Sequence, residues 1–409
     1  MRRTEPRDDR HMTDRATVAY VDHVGVLGGA EVALCSLISS LDRGQWRPLA
    51  VLGAEGPLAD RLRGQGLHVN ILALPSSLKG IRQDGITRAR MLDPGRAAGT
   101  ARYVLRVAHF LRANRVSLVH ANSLRACVLA GLAGRLARIP VVWQIHSIVA
   151  SPMVSPAGVR LMRTLARRLP HHIICNSVAS AACFDVQPSH ISVVPCGVDA
   201  AHFHPNGRPT NGKRQVGVIA RFSPLKGQHV FVEAAIRLAN RYPEVRFVVA
   251  GSALFEEEGY EREVRERALR SPRSDLIQFL GFQEDVATLL SDVEVVVQPS
   301  TRPEGLGQVV IEAMMSGKPV VASGEGGAVD LVEDGVTGLL VPPNDVAALA
   351  NAIDDLLRDR DRASAMGARG RERALTRYEL SQTSRAIESV YETVLTETRG
   401  AGWLRNYSP

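Results

Sequence analysis

Short apolar runs alternate with longer amphipathic stretches along almost the whole chain, and the two periods separate cleanly. In the first half, strands are predicted at Thr17–Val24, Arg47–Leu52, Val69–Leu72, Ser117–His120, Val141–His146, His172–Asn176 and Ile191–Pro195. Helical stretches such as Ala30–Leu41, Thr100–Asn114 and Leu124–Ala137 lie between them. The second half repeats the pattern with strands at Gln215–Ala220, Val245–Ala250, Leu276–Leu280, Val293–Val297, Val320–Ala322 and Gly338–Val341. Strands that alternate with helices build parallel sheets with helices on their faces, so the expected class is α/β with two Rossmann-like halves.

The segment CGVDAAHFHPNGRPTNGKRQ, polar and rich in Gly, Pro and Asn, is the expected linker between the halves. Beyond Asn344 the pattern is helical throughout, over Val346–Leu357, Arg360–Thr376 and Leu380–Thr398. The expected organisation is therefore a disordered tail at 1–15, a first domain at 16–198 and a second at 199–378. A final helical segment, 379–409, is expected to return to the first domain and tie the halves together.

A chain of 409 residues suits two large domains, and a hydrophobic share of 45% with only 5% aromatics suits parallel strands and helices rich in Val, Leu and Ala. No apolar run approaches the roughly 18 residues a membrane span needs, and the polar start MRRTEPRDDRHMTDR does not read as a secretory signal. Cys35, Cys127, Cys175, Cys183 and Cys196 are odd in number and lack ligand-like spacing, which argues against a disulfide framework and a zinc site. A reducing cytoplasm follows as the expected setting.

The net charge of +8 is uneven. Lys79, Arg82, Arg88, Arg90, Arg96, Arg102, Arg106, Arg112 and Arg115 face only Asp84 and Asp93, and Arg160, Arg163, Arg167 and Arg168 form a second cluster without acids. Such stretches suit acceptor phosphates or an anionic leaflet, or else they are solvated helix faces. Nucleic acid is disfavoured because no aromatics are interleaved and no recognition motif matches.

The densest chemistry lies in RPEGLGQVVIEAMMSGKP, Arg302 to Pro319. Two carboxylates, Glu304 and Glu312, flank a glycine turn that follows a buried strand and opens a helix predicted over Gln308–Met315. Ligands of open α/β sheets bind at the carboxyl ends of strands. Gly305 and Gly307 allow close backbone approach, and the helix start favours an anion such as a diphosphate. Carboxylates there suit sugar and ribose hydroxyls. Arg221 and Lys226, five residues apart between a strand and a helix starting near Gln228, can converge on one diphosphate as a planar fork and a point charge.

The ordered set GGAE (Gly28–Glu31), His146 and Asn176–Ser177 at strand ends, VVPCGVD, RFSPLKG (Arg221–Gly227), GF (Gly281–Phe282), PEGLGQVVIEAMMSGKPVVAS and GGAVDLVEDGVTGLLVPPND resembles the large retaining glycosyltransferase family 4, of GT-B fold. The resemblance covers nearly the whole chain. It implies two Rossmann-like domains facing each other across a cleft. It further implies transfer of a sugar from a nucleotide-diphosphate sugar to an acceptor hydroxyl, with retained configuration and neither metal nor cofactor. Under it, His146, Arg221, Lys226 and Glu304 are the expected catalytic residues. Gly28, Gly29, Gly281, Phe282, Gly305, Leu306, Gly307, Gln308 and Glu312 are the expected donor-binding residues. A lipid-linked or envelope saccharide is the expected acceptor, and the cytoplasmic face of a membrane the expected place of work. Ala220, Leu306 and Asp330 depart from the family's commoner Gly, Phe and Glu.

Three other readings compete. A dinucleotide oxidoreductase needs GxGxxG after its first strand, and GVLGGAE does not fit. A sugar-nucleotide epimerase of the same fold would act without an acceptor. A non-catalytic nucleotide-sugar-binding subunit would not need the charged set His146, Arg221, Lys226, Glu304 and Glu312.

Overall fold

The computed structural model describes residues 15–75, 94–150, 154–205, 214–254 and 257–400. Seven strands form the first sheet: β1 (Ala16–Asp22), β2 (Trp46–Leu52), β3 (Val69–Ile71), β4 (Leu118–Ala121), β5 (Val141–Ile145), β6 (His172–Cys175) and β7 (Ile191–Val193). All pair in parallel in the order β3-β2-β1-β4-β5-β6-β7. Six more strands form the second sheet: β8 (Arg214–Ile219), β9 (Val245–Ala250), β10 (Ile277–Gly281), β11 (Val295–Gln298), β12 (Val320–Ser323) and β13 (Leu339–Val341). These too are parallel, in the order β10-β9-β8-β11-β12-β13. Each sheet therefore reverses direction at one point, between β1 and β4 in the first and between β8 and β11 in the second. Chains leaving the carboxyl ends at such a point turn to opposite faces and open a crevice.

Strand limits differ from the sequence reading by one or two residues. A two-residue shift occurs at β11, which begins at Val295 because Val293 closes the helix Val286–Asp292 and Glu294 is bound by Arg214 at 2.8 Å. Apolar strands such as VVWQI in β5 are buried on both faces, as parallel sheets covered by helices require. The expected basic residues Lys79, Arg82, Arg88 and Arg90, the tail through residue 14 and the end from residue 401 lie outside the described residues. So do residues 206–213 of the expected linker.

The last helix, Leu380–Gly400, lies on the first domain. Its Ile387, Val390, Tyr391, Val394 and Leu395 recur at helical spacing and join Leu34, Ile38, Trp46 and Leu118 in one buried cluster. The Tyr391 hydroxyl lies 2.8 Å from His120 Nδ1 and donates to the Tyr20 hydroxyl at 3.2 Å. Where the chain re-enters this domain it runs beside its first crossing. Val198 N–H donates to the Tyr378 carbonyl at 2.9 Å, and Leu380 N–H donates to the Val198 carbonyl at 3.1 Å. A further core joins the halves directly: Ala33, Cys196 and Val198 pack with Leu306, Val310 and Met314.

Candidate active site

The two reversal points face each other, and the charged residues converge there. From the second sheet, Arg221 follows β8 and Glu304 follows β11. The Glu304 carboxylate is 7% exposed and is gripped by the Lys226 ammonium on one oxygen and the Ser300 hydroxyl on the other. Gly227 ends the Lys226 turn and begins the helix Gln228–Ala239, packed so closely on the Pro299 carbonyl that no side chain fits. Burial lowers the pKa of the Arg221 guanidinium, while the carboxylates of Glu257, Glu304 and Glu31 oppose that shift. Glu31 belongs to the other domain, so Arg221 faces carboxylates from both sides of the cleft.

Glu31 lies in the first turn of the helix Gly29–Ser40 and accepts the Gly28 N–H at 2.9 Å. Burial, with the nearby Asp22 charge, pushes its pKa up to about 7. Gly29 has open space on its side-chain face.

The loop after β11 meets the first domain at Gly305. A Cβ there would sit 2.1 Å from the His146 carbonyl oxygen, so only glycine fits. Gly307 takes φ +87°, a left-handed conformation, and begins the helix Gln308–Met315, as the sequence indicates. Within that helix Gln308 Nε2 donates to Glu312 Oε1 at 3.0 Å, and burial raises Glu312 to about 7 against that bond. Gly281 ends β10, its carbonyl accepting Gly251 N–H at 2.7 Å, and Phe282 beyond it is 66% exposed. Leu306 behaves differently from its neighbours. It is buried in the core between the halves, packed with Ala33 and Cys196, so its side chain is turned away from the crevice.

His146 follows β5, and both ring nitrogens are occupied. Nε2 lies 2.9 Å from Asn122 Oδ1, and Nδ1 lies 3.8 Å from Cys196 Sγ. Burial lowers its pKa to about 4, opposed by the Asp22 charge, so the imidazole is neutral at pH 7. The carboxylate of Asp22, fully buried at the end of β1, accepts from Asn122 Nδ2 at 2.9 Å, from Ser123 Oγ at 2.8 Å and from His23 N–H at 2.6 Å. Burial would raise Asp22, but the His23 hydrogen bond and charge, with Asn122 and Ser123, hold it below the usual carboxylate range. Asp22, Glu31, Asn122, Cys196 and Ser300 are thus site residues the sequence reading did not assign. The signal available for Asp22 and Asn122 was a polar side chain at the carboxyl end of a buried strand.

Chemically, the crevice offers two cations to an anionic leaving group, two carboxylates to hydroxyls, and a helix start between them. Among the described residues no group of three or more His, Cys, Asp or Glu is arranged to hold a metal ion. The five cysteines are free, buried thiols.

The family profile described as "Glycosyl transferases group 1" matches residues 201–373, and that of "Glycosyltransferase Family 4" matches residues 57–202. The lipopolysaccharide core biosynthesis mannosyltransferase LpsB of Rhizobium meliloti is 31% identical over 54% of this chain and 66% of its own length. The chain thus spans just under two thirds of LpsB. The phosphatidyl-myo-inositol mannosyltransferase of Mycolicibacterium smegmatis is 30% identical over 68% of this chain and 71% of its own. Among solved structures, Anabaena Alr3699/HepE in complex with UDP and glucose superposes with a TM-score of 0.79 at 28% identity, covering 92% of this chain and 99% of that one.

Proposed function

Because the chain belongs to the group 1 glycosyltransferases of family 4, with two Rossmann-like domains in the GT-B arrangement, we propose that it moves a sugar from a nucleotide-diphosphate sugar to an acceptor hydroxyl, with retention and without a metal. The observation that carries this is the meeting of Arg221, Lys226 and Glu304 at the reversal point of the second sheet, with Glu312 on the helix that follows the Glu304 loop and His146 on the opposite side. Breaking the bond from the anomeric carbon to the diphosphate leaves the electron pair on a phosphate oxygen. Arg221 and Lys226 stabilise that charge at fixed positions, with no reorganisation during the step. In a retaining transfer the acceptor oxygen attacks on the face the diphosphate leaves. Its proton passes to the departing oxygen, which becomes more basic as the bond breaks. Glu304 orients the transferred sugar, and Glu312 binds the ribose. The N–H groups at the start of Gln308–Met315 face the diphosphate, and Gly28, Gly29, Gly281 and Phe282 close the remaining sides.

A lipid-linked or envelope saccharide is the acceptor class we favour, supported by the substrates in the names of LpsB and the phosphatidyl-myo-inositol mannosyltransferase. Among the described residues no helix is long and apolar enough to cross a membrane. Contact with an anionic leaflet, at the cytoplasmic face, falls to the exposed strip Arg102, Leu105, Arg106 and His109 on the helix Pro94–Ala113. Leu105 is 60% exposed and adjoins a groove also lined by Leu72 and Phe110. Arg112, Arg163 and Arg167 are committed elsewhere, to the carbonyls of Ala137, Cys183 and Asp185.

The test is transfer by the purified chain from UDP-, GDP- and ADP-sugars. Arg221→Ala or Lys226→Ala is expected to slow it by on the order of a hundredfold or more, with wild-type activity unchanged in EDTA. Activity lost in EDTA and restored by magnesium or manganese would overturn the metal-free reading. Equal binding to anionic and neutral vesicles at low salt would overturn the leaflet contact.

A further inference from the structure

His146 is joined to a chain of buried side chains that has no place in the reaction as proposed. Asp22 is 0% exposed and Asn122 1%, and together they span the reversal point of the first sheet. Burying a carboxylate is costly unless every oxygen is satisfied. Here Oδ1 accepts from Ser123 Oγ and His23 N–H, and Oδ2 accepts from Asn122 Nδ2.

The direction of this chain is fixed by its acceptors. Asn122 Nδ2 faces two of them, Asp22 Oδ2 at 2.9 Å and the Ala30 carbonyl at 3.3 Å, so the amide N–H groups must point that way. Oδ1 is then left to face His146 Nε2 at 2.9 Å, and an amide oxygen only accepts. Nε2 must carry the proton. The Nδ1 lone pair faces the Cys196 thiol, whose S–H is the donor available to it. The ring is held at both edges, and the carbonyl of the same residue is the surface on which Gly305, next to Glu304, closes.

We infer that Asp22 and Asn122 are positioning residues that fix His146 as its neutral Nε2–H tautomer and thereby set where the Glu304–Gly305 loop meets the first domain. The inference rests on the proposed transfer only for its kinetic consequence. Asp22 fixes the amide of Asn122, Asn122 fixes the imidazole, and the imidazole fixes the wall against which the sugar-binding carboxylate is placed. Metal-ligating histidines are oriented by partners of this kind, and loss of one costs about ten- to hundredfold in affinity or activity; a similar scale is expected for this ring.

The decisive measurement is 15N NMR on the full chain with labelled histidine, the His146 signals being assigned by their loss in His146→Gln. A protonated Nε2 and an unprotonated Nδ1 at pH 7 are expected, and a protonated Nδ1 in the wild type would overturn the inference. In Asp22→Asn the anionic acceptor is gone and the Asn122 amide keeps only the longer bond to the Ala30 carbonyl, so its orientation is no longer fixed by a charge. The expected result is a mixture of tautomers, with kcat down by about ten- to hundredfold and donor KM little changed. An unaltered His146 spectrum in folded Asp22→Asn would overturn the inference as well. If that variant does not fold, the wild-type spectrum still decides. A chain that shows the Nε2–H form but transfers no sugar would support the inference and count against the proposed reaction.

Discussion

Gly305 of the second domain rests against the main-chain carbonyl of His146 in the first, where an added Cβ would lie 2.1 Å from the oxygen and 2.8 Å from the carbon. Neither atom can move without its strand, so Gly305→Ala must push the domains apart. Misplacement on the order of 1 Å costs roughly a hundredfold in rate. We expect kcat to fall by about that factor with each domain still folded, measured by transfer kinetics alongside circular dichroism. Near-normal kcat would show that the cleft tolerates the displacement.

The Lys226–Glu304 pair separates stability from catalysis. Lys226→Ala takes the ammonium from a buried carboxylate that keeps the Ser300 hydroxyl and the facing Arg221, and loss of one partner is more damaging than loss of both. The single variant should therefore be destabilised and slow. Adding Glu304→Gln should recover part of the stability but none of the activity. Urea denaturation of both variants checks the coupling, which is absent if the two losses simply add.

Glu312 gives a pH signature. Its carboxyl holds a proton up to about 7 in the folded chain and up to 4.5 ordinarily, so the folded state binds more protons between those values. The stabilising contribution is complete below 4.5 and is lost as pH rises to about 7. Glu312→Gln should match the wild type in thermal stability below pH 4.5 and exceed it above pH 7. If Glu312 also binds ribose, calorimetry should show weaker binding of the free nucleotide to this variant, while Glu304→Ala spares it.

The Tyr391 hydroxyl ties the last helix to His120 and Tyr20. Tyr391→Phe keeps the packing and removes the bond, leaving His120 Nδ1 buried without it. The expected loss is about 1–3 kcal/mol by chemical denaturation, with activity retained at temperatures where the variant is folded. A stability equal to wild type would mean the hydroxyl contributes nothing net.

Much of this architecture was legible. Runs such as VRFVVA in β9 and VVWQI in β5 can only be buried strands, and Gly317 with Pro319 marks the end of Gln308–Met315. The charged groups of the second domain were legible because local glycines frame them: Arg221 and Lys226 before Gly227, Glu304 before Gly305. Leu306 was assigned to donor binding by the family resemblance alone. Its side chain is apolar, however, and found the core beside Ala33. Asp22 and Asn122 carried only the weak signal of a polar side chain at the end of a buried strand, since the bond that gives each its role spans 100 residues. Glu31 stood in the GGAE motif without an assigned role, because its altered acidity comes from burial and from Asp22, which the local sequence does not show.

Tyr378 and Glu379 cross between the domains alongside Val198, joined by two backbone bonds, and Gly197 packs against Leu380 so that a Cβ would sit 2.7 Å from its Cα. A single tether would let one lobe swivel about its own bonds in any direction. Two straps paired side by side in the same direction restrict twisting and sliding more than one would. The two crossings therefore help hold Arg221 in register with Glu31 across the crevice. Registration between two halves made from distant parts of the chain is in this way carried in part by a strip of backbone that begins beside Cys196, the thiol against His146.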